Sequence, residues 1–190
     1  MRKEIKDMEM QDWQKPAKSE VDYHCVEATR GREFIVRLTT GADPVKALKH
    51  FAEEKKIRFG KIHAAFMGGF EPVCYDCWAP DARDMSNKSF EATAVRNNIT
   101  MLSAIGGMIG IRPDGHGGEE SFVAAHFVAG GAWDSNTICG HLEEGTKVFG
   151  VMQIFVTEIL DIDVIYPCQL YVDDAAFDKY PENWYKSLKD

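Results

Sequence analysis

The spacing of apolar and polar positions changes along the chain, and each change marks an element. From Glu33 to Leu38 it alternates, with Phe34, Val36 and Leu38 on one side and Glu33, Ile35 and Arg37 on the other, which predicts a strand. Val21 to Ala28 predicts an earlier strand, with Thr29-Arg30-Gly31 as the turn between them. The period then lengthens. Val45, Leu48, Phe51 and Ala52 recur at helical spacing, while Lys46, Lys49, Glu53 and Glu54 face water. Asp43 suits an N-cap and Pro44 the first helical position, so a helix is expected over 43–56.

Strand character resumes from Ile57 to Met67, stops at Gly68–Gly69, and returns from Pro72 to Trp78. Ser89 to Val95 and Ile99 to Ile111 predict a hairpin turned through Asn97–Asn98. Arg112 to Gly118 holds too many breakers to be anything but a loop. Phe122 to Ala129 is an unbroken apolar run around His126, ended by Gly130–Gly131, and fits a strand buried on both faces. Cys139 to Leu142 reads as a short strand giving way to a turn. Lys147 to Leu160 is a long apolar strand with a bulge or bend at Gly150, and Asp161 to Tyr171 continues extended. One principal helix among about eight strands predicts an α+β fold built mainly on antiparallel β-sheet. The expected organisation is an N-terminal arm (1–20), one domain (21–171) and an acidic, aromatic tail (172–190). Phe177, Tyr180, Trp184 and Tyr185 of that tail are expected to pack onto a surface.

Composition narrows the function classes. A chain of 190 residues that is 45% hydrophobic supports one sizeable core. Thirty acidic against 22 basic residues give a net charge of −8, and the basic run Lys55, Lys56, Arg58, Lys61 reads as a helix end. That balance disfavours unaided nucleic-acid binding. No apolar run approaches the ~18 residues of a membrane span, and the polar start lacks a secretory core. Five cysteines, an odd number at irregular spacing, suit free thiols in a reducing compartment, so a cytoplasmic location is expected.

The histidines carry the candidate chemistry. His126 lies within small apolar residues, and His141 follows Cys139–Gly140, where a glycine lets another backbone or a ligand come close. Both rings are expected in one recess, binding a divalent metal such as zinc or polarising a small ligand. The plainer reading makes each a hydrogen-bonded interior histidine. His63 is the candidate third ligand, with His116 a less rigid choice. Glu143 or Glu144 could offer an oxygen ligand, hold the second ring nitrogen of His141, or act as base toward a metal-activated water. Cys139 should share a strand side with His141, either lending a thiol to the recess or filling space as a small buried residue. Cys74 and Cys77 lie three apart on a strand, on opposite faces, which is wrong for chelation. No phosphate-binding glycine motif precedes a helix. No particular reaction follows from these residues.

Three stretches resemble the plant-and-prokaryote (PPC) domain family, known with AT-hook sequences in plant nuclear proteins and alone in prokaryotes. They are Gly31 to Leu38 with Gly41 and the following helix, Val95 to Gly107, and Gly140-His141-Leu142-Glu143-Glu144-Gly145. The last is similar to the family's Gly-Gly-His-Leu-x-x-Gly signature, with Cys139 at the first glycine. The resemblance implies an antiparallel sheet carrying a helix and a homotrimer. It also implies a metal held by a His-x-His strand and the signature histidine, positions matched by His126 and His141, with Ala124 at the first strand position. The expected function is therefore a homotrimeric protein with a histidine pocket for a divalent metal or small ligand. The alternatives are a non-catalytic protein-interaction module and, third, a DNA-associated protein.

Overall fold

The helix forms where its sequence places the caps. In the computed structural model, which describes residues 19–21, 23, 25–78, 91–114, 116–131, 136–165 and 185–189, α1 spans Pro44–Lys55. The Asp43 carboxylate accepts from the backbone N–H of Lys46 at 3.1 Å, and Lys56 closes the helix in the left-handed conformation. Val45, Leu48 and Ala52 are buried, as their spacing requires.

The strands are β1 (Thr29–Thr39), β2 (Phe59–Phe66), β3 (Gly69–Phe70), β4 (Val73–Trp78), β5 (Glu91–Arg96), β6 (Thr100–Pro113), β7 (Glu119–Gly131), β8 (Thr137–Leu142), β9 (Val148–Phe149), β10 (Val151–Leu160), β11 (Ile162–Val164) and β12 (Tyr185–Ser187). The main sheet runs β1-β10-β2-β6-β7-β8-β4-β5, with β3 bridging β6 and β9. Its pairings are antiparallel, and α1 crosses β6 and β7. The expected α+β class is the one observed. Phe127 centres the core on the helix side, with Phe70 and Tyr75 each edge-on to its ring at 5.7 Å. Leu48, Ile62, Ile109, Met152 and Ile154 complete that layer.

Four local expectations are corrected. The turn expected at Thr29-Arg30-Gly31 is the start of β1, with a register shift between Arg30 and Glu33, and 25–28 form no regular structure. Long β10 pairs as far as Leu160, and Glu158 bonds the Arg32 side chain at 2.6 Å, so the chain stays extended there. The hairpin expected around Asn97–Asn98 does not form. β5 pairs with β4 along its whole length, while β6 inserts between β2 and β7. β6 is apolar on both sides and belongs mid-sheet, whereas β5, with a charge at each end, takes the edge. The strand expected over Lys147 to Leu160 breaks at Gly150, whose φ of +81° separates β9 from β10.

The fourth correction is at β7, which is buried on one face only. Val123, Ala125, Phe127 and Ala129 enter the core, but His126 and Val128 are exposed on the other side. Among the described residues, only the far end of that second face is covered. There the β11–β12 ribbon lays Tyr185 on Phe59, with centroids 5.3 Å apart, and Phe122, Met108, Ala124 and Val164 join the cluster. The Tyr185 hydroxyl donates to the Met108 sulfur at 2.9 Å. Tyr185 therefore packs onto a surface as its tail was expected to. The arm over 1–18 and Phe177, Tyr180 and Trp184 lie outside the described residues.

Asp43 does more than cap. Its second oxygen accepts from the Gly145 backbone N–H at 2.8 Å and sits 3.7 Å from the Lys147 ammonium. Asp43→Ala should cost about 2–3 kcal/mol in urea unfolding, because one buried carboxylate joins the helix start to a distant turn.

Candidate functional site

Period-two alternation aims the two histidines. With Ala125 and Phe127 committed to the core, His126 must point away from the helix, and Leu142 commits His141 in the same way. β7 and β8 pair with His126 directly opposite His141, so both rings stand on one face. They meet edge to face, with centroids 5.2 Å apart and planes at 87°. The row continues through Gly106 of β6 beside His126, and through Asp76 of β4 and Thr93 of β5 beyond His141.

Two glycines shape this row. A Cβ at Gly140 would lie 2.5 Å from the Asp76 carbonyl oxygen, so β4 can approach β8 only where that residue has no side chain. A Cβ at Gly106 would meet nothing nearer than the Ile62 carbonyl oxygen at 3.8 Å, which leaves room beside His126.

The imidazole of His141 is 32% exposed. Burial depresses its pKa first; the His126 and Arg112 charges act in the same direction, and Asp76 opposes them. Glu143 Oε1 lies 3.9 Å from His141 Nε2, at the limit of an ion pair. Asp76 Oδ1 is buried with no hydrogen-bond partner among the described residues. Sequence reasoning passed over this carboxylate as part of a chance Cys-x-x-Cys. Strand alternation puts it on the face opposite Tyr75, but only long-range register puts it beside His141.

The other candidates are dispersed. His63 stands on β2 with Nε2 bonded to the Thr157 hydroxyl, which donates to Glu33 at 2.8 Å. That contact turns its ring toward β10 and not toward the histidine pair. Glu144 pairs with Lys49 at 2.8 Å and Lys46 at 3.8 Å on the helix. Thr146 brackets Cys74, accepting from its N–H at 2.9 Å and donating to its carbonyl at 3.0 Å. The second half of the Gly140–Gly145 motif thus fastens a turn to α1 and β4. Cys139 shares the face of His141 but is exposed, because nothing described covers that end of β8. His116 is exposed in its loop, where its N–H bonds Asp114 at 2.7 Å. Among the described residues, no three His, Cys, Asp or Glu side chains converge as they stand into a set able to hold a metal ion.

Residues 26–160 match the model of the Plants and Prokaryotes Conserved (PCC) domain, and the chain belongs to that family. Its fold is shared with a plant- and prokaryote-conserved (PPC) protein of Pyrococcus horikoshii, at a TM-score of 0.61 and 18% identity over 79% of this chain and 94% of that one. A metal-containing protein of Archaeoglobus fulgidus is also similar, at 0.57 and 19% over 72% and 86%. A supposed DNA-binding protein of Bacteroides thetaiotaomicron gives 0.55 and 20% over 76% and 94%. No curated protein matches the chain. No helix among the described residues is long and apolar enough to cross a membrane.

The lowered pKa of His141 has a definite sign in stability. The folded chain holds this imidazole neutral to a lower pH than the unfolded chain does, so the unfolded state binds more protons once pH drops below about 6.5. Its contribution is complete above that pH and is lost as pH falls toward the depressed folded value. The urea midpoint should fall between pH 7.5 and 5.5, and His141→Gln should flatten the slope.

Proposed function

We propose that this PCC-domain protein self-associates as a homotrimer through its open sheet face and binds a divalent metal ion at the His126–His141 pair. The observation that supports it most is the register. Two strands deliver their imidazoles to one spot, edge to face, on a side of the sheet that the described residues leave largely bare. Around them the same face exposes Ile35 (65%), Phe66 (60%) and Met101 (66%), with Val95 and Val128, from five strands. Exposed apolar side chains spread over one sheet face suit association, and a cyclic arrangement closes it.

The residues present fit a metal in part. Two imidazole nitrogens and a neighbouring carboxylate oxygen without a partner are the right donor chemistry. Bound there, a divalent ion would supply Lewis acidity toward a small anionic or carbonyl ligand. His126 and His141 would hold it, and Glu143, 3.9 Å from His141 Nε2, would orient that ring. A protein-interaction module built on the bare apolar face is the second reading. DNA binding ranks third against a net charge of −8.

Light scattering should give three times the 21.4 kDa chain mass, and Ile35→Glu or Met101→Glu should reduce it to one. Metal analysis of the purified protein should find a transition-metal ion, lost in His126→Ala and His141→Ala. A wild-type protein indifferent to zinc would remove the metal reading while leaving the assembly intact.

A further inference from the structure

The outer side of β7 changes character along its length. Phe122 and Ala124 stand on the same side of the strand as His126 and Val128, yet Phe122 is 3% exposed and Val128 38%. The ribbon makes that difference. β11 follows β10 through Asp161, whose φ of +62° turns the chain, and it pairs with β12 so that Val164 lies opposite Tyr185. Tyr185 rests on Phe59 and Met108, and Val164 is buried with Phe122. Arg58 reaches Asp163 at 3.1 Å, and Lys189 reaches Glu27 at 3.3 Å.

A ribbon of two three-residue strands does not hold together unaided, so this one stays formed only while the sheet supports it. The ion pairs at Arg58 and Lys189 join partly exposed side chains and contribute little. The apolar bed of Phe59, Met108, Phe122 and Ala124 supplies the main attraction, which is non-directional and equally open to another apolar surface. That bed runs on into the open face at Gly106 and His126, the next residue pair on that side. It also lies within the matched domain, whereas the ribbon lies after it.

We infer that the β11–β12 ribbon is an autoinhibitory strap, which occupies one end of the sheet face and so limits the area on which a second copy of this chain can pack. The inference rests on the self-association reading above and adds its regulation. With the strap seated, the open face begins at His126. With the strap lifted, Phe59, Met108, Phe122 and Ala124 join it. A second copy is the partner because the bed is continuous with the face proposed for association, and each copy brings Ile35, Phe66 and Met101 as a matching apolar surface.

Hydrogen exchange and light scattering of the full chain test this together. Tyr185→Asp sets a charge on the apolar bed, so the amides of Ile162 to Val164 should exchange about 100-fold faster while those of β6 and β7 keep their protection. At equal concentration its mass should rise to about twice the wild-type value or more, and Met108→Glu added to it should bring the mass back. Tyr185→Phe, which keeps the ring, should leave both readouts at wild-type values. If Tyr185→Asp frees the ribbon amides and the mass does not rise, the strap restrains nothing and the inference fails, while the wild-type mass alone still decides the trimer. A monomeric wild type whose Tyr185→Asp form associates removes the trimer and keeps the strap. Protection lost throughout β6 and β7 would make the ribbon part of the core, and unchanged exchange at Ile162 to Val164 would mean that Tyr185 does not hold it; either result ends the proposal.

Discussion

β7 is held on three sides at once. β6 pairs with it from Thr100 to Pro113, β8 pairs with it from Gly130 to His126, and α1 lies across its inner face. Val123, Ala125, Phe127 and Ala129 must all enter the same core, and a slip of one residue would place every one of them in water. That burial fixes the register, and the register fixes His126 opposite His141. The site inherits its geometry from apolar packing one layer below.

The two faces of the sheet are therefore used differently. The helix side is a closed core, with Phe127 between Phe70 and Tyr75. Among the described residues, the other side is covered only by the ribbon of β11 and β12, whose Tyr185 stops at Met108 and Ala124, one residue pair short of Gly106 and His126 on that face. Beyond that edge the row of Gly106, His126, His141, Asp76 and Thr93 lies on the open side. The family model ends at Leu160, so the ribbon is an addition outside the matched domain.

The Gly140–Gly145 motif combines two functions that sequence alone presents as one. His141 faces the open side and belongs to the row. Gly140 admits β4, Glu144 ties back to Lys49, and the Gly145 N–H closes onto Asp43. Only one of its six residues carries the histidine chemistry, and three others hold the turn in place.

Local signals determined much of this protein. The caps at Asp43 and Lys56, the apolar stripe of α1, the break at Gly68, and the period-two run from Glu33 to Leu38 depend on neighbours a few positions away, so they could be read directly. Local sequence placed His126 and His141 each on a strand, but their position opposite one another is set by the pairing of β7 with β8. What tertiary structure decided was partner and face. β5 joined β4 and not β6, β1 stayed extended through Thr29-Arg30-Gly31 because β10 was there to pair with it, and one face of β7 stayed open. Asp76 gained its meaning only from β8 beside it, and His63 lost contact with the pair because Thr157 drew its ring away. Alternation along a strand tells which residues share a side; the side and its neighbours are chosen by strands distant in sequence, through hydrogen bonds that no local pattern encodes.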